Sequence, residues 1–142
     1  GDKGEVRAYM RSGSHTQDWK VLSLTSSDNG ESWQDFHQTE LPNPNAAQVA
    51  TKVADKLWMW VGNYHQQHRQ DMTLAVSSDL NEPWKKLLSF EQAKEGDRFS
   101  YPSLIQDKQG MWHLLYTYNR THIKHIQFNG AWLNQQMQEN LL

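Results

Sequence analysis

Two arginines and one tyrosine stand at places in this sequence where side chains could act on a ligand. Arg11 ends an apolar segment, and Arg69 follows a polar run at 64–68. Tyr101 lies within Phe99-Ser100-Tyr101-Pro102. A guanidinium offers parallel donors that match a carboxylate, and a positioned phenol can act as nucleophile or acid/base. Taken singly, each residue has a simpler interpretation, as a solvated arginine or a tyrosine packed in the core. The structural frame that positions the three residues therefore decides between a site and these simpler roles.

That frame is a repeat of about 50 residues. Three Asp-Lys turns, each followed by an apolar run, begin 53 and 52 residues apart, at Asp2, Asp55 and Asp107. A second landmark recurs at spacings of 51 and 48 residues, at Trp33, Trp84 and Trp132. Strands and turns that repeat at this period are typical of a β-propeller.

The predicted fold class is all-β. Short β-branched or aromatic segments bounded by turn residues predict strands at 6–10, 21–25, 47–53, 57–61, 73–76, 103–106, 112–118 and 123–128. The repeat units run at about 1–53, 54–105 and 106–142. Because propellers close with about four to eight blades, we expect about three blades of a six-bladed propeller, an incomplete ring. Its partners are then the remaining blades, as the C-terminal half of a longer protein, or a second copy of the chain.

One hairpin motif recurs inside the units. The segment 26–33 matches the Asp-box pattern S-x-D-x-G-x-x-W through Ser26, Asp28, Gly30 and Trp33. The frame returns at 77–84 through Ser77, Asp79 and Trp84, with Asn81 in the glycine position, and the third unit keeps Gly130 and Trp132. The aspartate is expected to accept turn N–H groups, the glycine to take a positive φ, and the tryptophan to plug into the blade. We interpret these boxes as structural.

At this point the sequence resembles the bacterial neuraminidase-repeat (BNR, Asp-box) proteins of the sialidase superfamily. The resemblance rests on the boxes at blade period, on Phe99-Ser100-Tyr101-Pro102-Ser103-Leu104, and on the later Tyr116-Thr117-Tyr118 and 120–125 stretches. It implies a sialidase-like propeller and an exo-glycosidase that hydrolyses a terminal acidic sugar, with sialic acid the leading candidate. It also implies a secreted or periplasmic location, although the chain shows no signal segment.

The resemblance carries over to three positions. It implies that Arg11 and Arg69 bind the sugar carboxylate and that Tyr101 is the catalytic nucleophile. A further arginine, an acid/base aspartate and an assisting glutamate are implied upstream, so we expect the isolated chain to be inactive. We also expect the three residues at one end of their blades, opposite the Asp28 and Asp79 turns.

Two other functions stay open. Pro102 differs from the commonest sialidase sequence after the tyrosine, which leaves room for a BNR-repeat polysaccharide lyase that acts by elimination. A propeller that binds a glycan without turning it over is the other alternative, since a fold by itself does not establish activity.

Composition excludes several partners. A net charge of −2 and a pI near 6.4 give no basic stripe for nucleic acid, and no apolar run is long enough to span a membrane. No Cys is present, and the histidine pairs His65/His68 and His122/His125 are three residues apart, which on a strand sends them to opposite faces. We therefore expect neither a metal site nor a cofactor.

Overall fold

The computed structural model describes residues 5–13, 18–79, 83–91 and 93–141. These residues form ten strands and one helix, namely β1 (Val6–Met10), β2 (Lys20–Ser26), β3 (Gln34–Pro42), β4 (Val49–Ala54), β5 (Leu57–Gly62), β6 (Thr73–Ser77), β7 (Lys85–Ser89), β8 (Phe99–Gln106), β9 (Trp112–Tyr118), β10 (His122–Phe128) and α1 (Gly130–Leu141). The prediction of an all-β fold is confirmed apart from this helix.

The strands form three antiparallel sheets in chain order. The first sheet is β1-β2-β3, the middle sheet is β4-β5-β6-β7 and the third is β8-β9-β10. Alternate residues of β5 serve opposite faces: Trp60 packs with Val21 of the first sheet, whereas Met59 and Val61 pack with Leu114 of the third. The middle sheet is therefore buried on both faces between the other two.

The two kinds of turn occupy fixed places in this repeat. Asp55 and Lys56 lie between β4 and β5, and Asp107 lies between β8 and β9. Asp28 lies between β2 and β3, and Asp79 follows β6. The Asp-Lys turns therefore precede two equivalent strands, β5 and β9. The Asp-box turns follow another pair of equivalent strands, β2 and β6.

The first Asp-box has the expected hydrogen bonds. The backbone N–H and the hydroxyl of Ser32 donate to the Asp28 carboxylate at 2.9 and 2.5 Å, and the Ser26 hydroxyl donates at 2.7 Å. These bonds lower the pKa of Asp28 to about 2, the Ser32 hydroxyl having the largest effect. Gly30 has a φ of 93°, the left-handed conformation that a glycine accepts at little cost.

The tryptophans of the two boxes differ in burial. Trp84 is 5% exposed and meets Tyr9 edge-on at 5.9 Å, as expected. Trp33 is 43% exposed, so the expectation that it plugs into the blade is wrong. Its sheet has a neighbouring sheet on one face only within the described residues, and the indole lies beside Gly30 instead.

The other two boxes keep less of the motif. The Ser77 hydroxyl bonds the backbone of Asp79, donating to its oxygen at 2.5 Å, while the expectation for Asn81 lies outside the described residues. Gly130 does not form a third box turn, because it opens α1. Asn129 caps this helix by accepting from the Trp132 N–H at 2.8 Å.

Helix α1 forms the C-terminal segment of the described chain and packs on its core. Leu133 is buried, and Trp132 packs on Phe128 and Phe90 at 5.1 and 6.3 Å between ring centroids. The helix thereby covers the side of the core near β7. At 12 residues, this one helix of the described chain cannot reach across a bilayer.

Candidate functional site

The strand directions place the three predicted site residues at one end of the sheets. Arg11 directly follows β1, whose last residue Met10 pairs with Leu22 near the start of β2, away from the Asp28 turn. Arg69 precedes β6, and the Asp79 turn follows that strand. Tyr101 lies near the start of β8. This edge, opposite the Asp-boxes, we call the loop edge.

Arg69 joins the loop edges of the middle and third sheets. Its guanidinium Nη2 donates to the Asn45 carbonyl at 2.5 Å, and Nη1 reaches the Ser100 hydroxyl at 3.5 Å. Its own carbonyl accepts from the Phe99 N–H at 2.8 Å. The arginine is therefore held immediately beside the strand that carries Tyr101.

Tyr101 projects from an irregularity in β8. The pairing of β8 with β9 shifts register between Ser100 and Ser103, and Tyr101 has a φ of 58°. A β-bulge of this kind re-aims one side chain out of the regular alternation. The ring is 60% exposed, which leaves it accessible to a ligand.

Arg11 is exposed at the same edge but makes no hydrogen bond or ion pair with the described residues. The neighbouring Ser12 is buried, and its hydroxyl donates to the Asn43 carbonyl at 3.5 Å. Asn43 and Asn45 belong to one loop, so this loop separates Arg11 from Arg69. The structure joins Arg69 to Ser100, the residue before Tyr101, and among the described residues no contact joins Arg11 to either.

Two further arginines, Arg98 and Arg120, lie at the loop edge. Burial first, and then the positive charges of Arg120 and Arg69, lower the pKa of Arg98, and Tyr101 acts in the opposite direction. Arg98 therefore lies within electrostatic reach of all three groups. Arg98 was not predicted as a site residue from the sequence, although its place three residues before the candidate tyrosine was a signal that could have singled it out.

The backbone fixes Arg98 and Arg120 relative to each other. The Asn119 side-chain oxygen accepts from the Arg98 N–H at 2.6 Å, and the Asn119 N–H donates to the Arg98 carbonyl at 2.8 Å. Residues 119–121 connect β9 to β10, and Asn119 and Arg120, with φ of 51° and 58°, are the central residues of a turn in which the Thr121 N–H donates to the Tyr118 carbonyl at 3.0 Å. Two positive φ values at the central positions are characteristic of a type I′ turn, which matches the strand twist.

A cavity of about 630 Å³ opens at the loop edge beside these groups. It is lined by Arg69 and Arg98 together with Trp19, Asn45 and His68, among others. This volume lies within the range of small-molecule sites. A planar indole, an amide and two cations are side chains that suit a polar anionic ligand such as an acidic sugar.

The His65/His68 pair differs from the expectation. The two residues lie in a loop, and their rings stack with centroids 3.3 Å apart, so they do not point to opposite faces. The Nδ1 of His65 accepts from the Gln67 N–H at 3.0 Å. Burial, and then the neighbouring His68, lower the pKa of His65. Within the described residues, no group of three or more His, Asp and Glu side chains could hold a metal ion.

A second tyrosine has a different environment. Tyr116 is 1% exposed, and its hydroxyl donates to Glu91, which also accepts from Lys124 Nζ at 2.6 Å. Burial, and then Glu91, raise the pKa of Tyr116. Because its side chain is buried and its hydroxyl is bonded to Glu91, Tyr116 serves the core.

The comparisons with known proteins agree with this architecture. A family model described as a BNR repeat-like domain matches residues 1–114. No curated protein matches the chain.

Three solved structures share the fold. The intramolecular trans-sialidase from Ruminococcus gnavus, in complex with oseltamivir carboxylate, has a TM-score of 0.69 at 15% identity, covering 89% of this chain and 30% of that chain. The leech intramolecular trans-sialidase, complexed with 2,7-anhydro-Neu5Ac, has a TM-score of 0.67 at 14% identity, with coverages of 93% and 23%. A Hadza microbial sialidase has a TM-score of 0.69 at 19% identity, with coverages of 91% and 26%.

These similarities show the fold. The three open antiparallel sheets are blades of an incomplete β-propeller. The chain spans less than a third of the length of each of these structures.

Proposed function

Because this chain belongs to the BNR repeat-like domain family, we propose that it contributes to a sialidase-like exo-glycosidase acting on a terminal acidic sugar, with sialic acid the leading candidate. One observation supports the proposal: Arg69 and Arg98 line the loop-edge cavity, Arg69 bonds the hydroxyl of Ser100, and the next residue of β8 is the exposed Tyr101. We infer that an anion-binding group and a reactive hydroxyl could act on one sugar ring at this edge.

The arginines would bind the carboxylate. A planar guanidinium can donate two parallel hydrogen bonds to a carboxylate, which a lysine ammonium cannot do. Arg69 is oriented by Asn45 and Ser100, so little side-chain entropy remains to be lost when the sugar binds. Arg11, exposed on the other side of the 43–45 loop, would add the second guanidinium once a ligand bridges that loop.

Tyr101 would be the nucleophile. Its phenolic oxygen would bond to the anomeric carbon while the bond from that carbon to the leaving oxygen breaks, and water would then cleave the tyrosyl intermediate. In sialic acid the carboxylate is attached to the anomeric carbon. A neutral phenol avoids the charge repulsion that a carboxylate nucleophile would meet there, and a tyrosine nucleophile is known for sialidases. The base that takes the phenolic proton as the tyrosine attacks, and the acid that protonates the leaving oxygen, would both come from the rest of the propeller.

The test is hydrolysis of a fluorogenic sialoside by the full-length protein. We expect Tyr101→Phe to lower kcat by at least roughly a hundredfold, because it removes the attacking oxygen. Tyr118→Phe is the matched control, since it removes a hydroxyl from the same sheet at a ring that packs through its face on Phe99 and His122. We expect the control to keep its activity, whereas unchanged turnover by Tyr101→Phe would refute the role of Tyr101.

The product distinguishes the alternatives. Acidic polysaccharides should be screened in parallel for an unsaturated product that absorbs in the ultraviolet, which would assign an elimination reaction. Glycan binding with no product from any substrate would assign a binding propeller. Either result would overturn the hydrolytic proposal.

A further inference from the structure

Three arginines, Arg69, Arg98 and Arg120, lie at the loop edge. Among the described residues, they form no ion pair with any acidic side chain. Asp97 lines the same cavity, and its carboxylate accepts from the Lys94 N–H and from the Asn119 amide, both at 2.8 Å. The three guanidiniums outnumber this carboxylate, so the edge has an excess of positive charge.

The arginines are not equivalent in position. Arg69 and Arg98 line the cavity, whereas Arg120 does not and is exposed on the adjoining hairpin. The positive charges of Arg69 and Arg120 both lower the pKa of Arg98. Arg98 therefore lies between the cavity and a second cationic position, that of Arg120.

The second position is preorganised by the backbone. Asn119 holds both the N–H and the carbonyl of Arg98 and precedes Arg120 in the tight turn. Two arginines attached to such a turn keep their spacing before a ligand arrives, which reduces the entropic cost of binding. Like charges held together favour an anion that lies between them.

We propose that Arg98 and Arg120 form a second oxyanion subsite, which binds a carboxylate or sulfate on the sugar adjacent to the one held beside Arg69. This inference rests on the proposed function, because it assumes an acidic glycan in the cavity. It identifies the substrate class more narrowly as a glycan with two neighbouring anionic groups.

The first experiment measures the affinity of the full-length Tyr101→Phe protein for three related probes. Sialyllactose carries one carboxylate, disialyllactose carries a second, and sialyllactose sulfated on galactose carries a sulfate. We expect one or both dianionic probes to bind roughly tenfold more tightly than sialyllactose. The two probes distinguish a preference for carboxylate from a preference for sulfate.

Arginine variants locate the subsite. Arg120→Gln should remove the gain from the second anion while changing the affinity for sialyllactose by less than about twofold, whereas Arg98→Gln, at a residue that also lines the cavity, should weaken the binding of sialyllactose as well. Lys108→Gln, an exposed cation at the opposite end of the third sheet, is the control and should retain the gain. Equal affinity of the parent protein for all three probes would overturn the subsite, as would variants that lose all three probes equally.

A second measurement does not need a glycan. At matched ionic strength, sulfate should raise the Tm of the parent protein over chloride by more than it raises the Tm of the Arg98→Gln/Arg120→Gln variant. The variant corrects for the general stabilisation by sulfate. A specific sulfate effect without sialyllactose binding would sink the proposed function and keep the anion subsite, and the absence of both effects would sink the subsite.

Discussion

At the scale of single residues, the boxes were easier to predict than the site. The sequence Ser26-x-Asp28-x-Gly30 specifies its own hydrogen bonds within a few residues, and the structure has them. Arg98 was missed because its significance depends on Arg69 and Arg120, which are brought near it only by the packing of two sheets and a hairpin. The exposure of Trp33 was missed for the same reason, since it depends on what covers its sheet.

The Asp28 carboxylate makes the first box sensitive to acid. Its pKa is lowered to about 2 in the folded chain from an ordinary value of 3.8. A group whose folded pKa is lowered stabilises the fold above its unfolded pKa and loses this effect as the pH falls through the folded pKa. We expect Asp28→Asn to be less stable than the parent at pH 6, with a difference that disappears between about pH 4 and pH 2.

Thermal unfolding of the 142-residue chain across this pH range measures the effect. Asp55→Asn is the control, because Asp55 is a turn aspartate whose contact is an exposed ion pair with Lys52 at 3.9 Å. A difference between parent and Asp28→Asn that stays constant down to pH 2 would contradict the assignment.

At the scale of elements, the sequence located apolar strands better than polar ones. β5 and β9 read as apolar on both faces and were predicted within one residue of their observed ends. β3 and β7 were not predicted, because Gln34–Pro42 and Lys85–Ser89 are rich in polar and charged residues. Both lie at the outer edges of their sheets, where water satisfies one side of the strand and apolar periodicity is not required.

The network around Glu91 joins three elements. The nearly buried Glu91 carboxylate, in the connection after β7, binds Tyr116 of β9 and Lys124 of β10, and the Lys124 ammonium lies 5.6 Å from the Tyr118 ring centroid. We expect Glu91→Gln to destabilise the chain by about 1–3 kcal/mol, because the ammonium loses its counterion.

Denaturant unfolding measures this change, and a double-mutant cycle isolates its cause. In a Lys124→Met background the same Glu91→Gln substitution should cost much less, because the cation is already gone. Equal costs in the two backgrounds would show that the pair is not coupled.

At the scale of the whole molecule, the face of the third sheet that points away from the middle sheet is an exposed apolar surface. Ile105, Leu115 and Ile123 are 59%, 38% and 61% exposed, and the register of β8, β9 and β10 places them on the face away from the middle sheet. Contiguous apolar residues on a flat sheet mark a surface that associates with another. An incomplete ring of about three blades, as the sequence predicted, leaves the outer face of an end blade without a neighbour from its own chain.

We expect the 142-residue chain alone to self-associate through this face. In sedimentation experiments its average mass should rise with concentration, and Ile105→Thr/Ile123→Thr should shift it towards the monomer while keeping β-branched side chains in the strands. Gln127→Thr, on the same face, should leave association unchanged. A parent chain that stays monomeric at every concentration would show that the face is tolerated in water.

The backbone at Tyr101 also has a consequence for engineering. A left-handed φ of 58° costs a bulky residue about 1 kcal/mol, which glycine would avoid, and a ring that is 60% exposed recovers little of that cost by burial. Selection for thermal stability alone would therefore favour glycine at position 101. If Tyr101 is the nucleophile that we propose, a library screened only for heat resistance would lose it, so a thermostable variant would have to be selected with turnover and stability measured together.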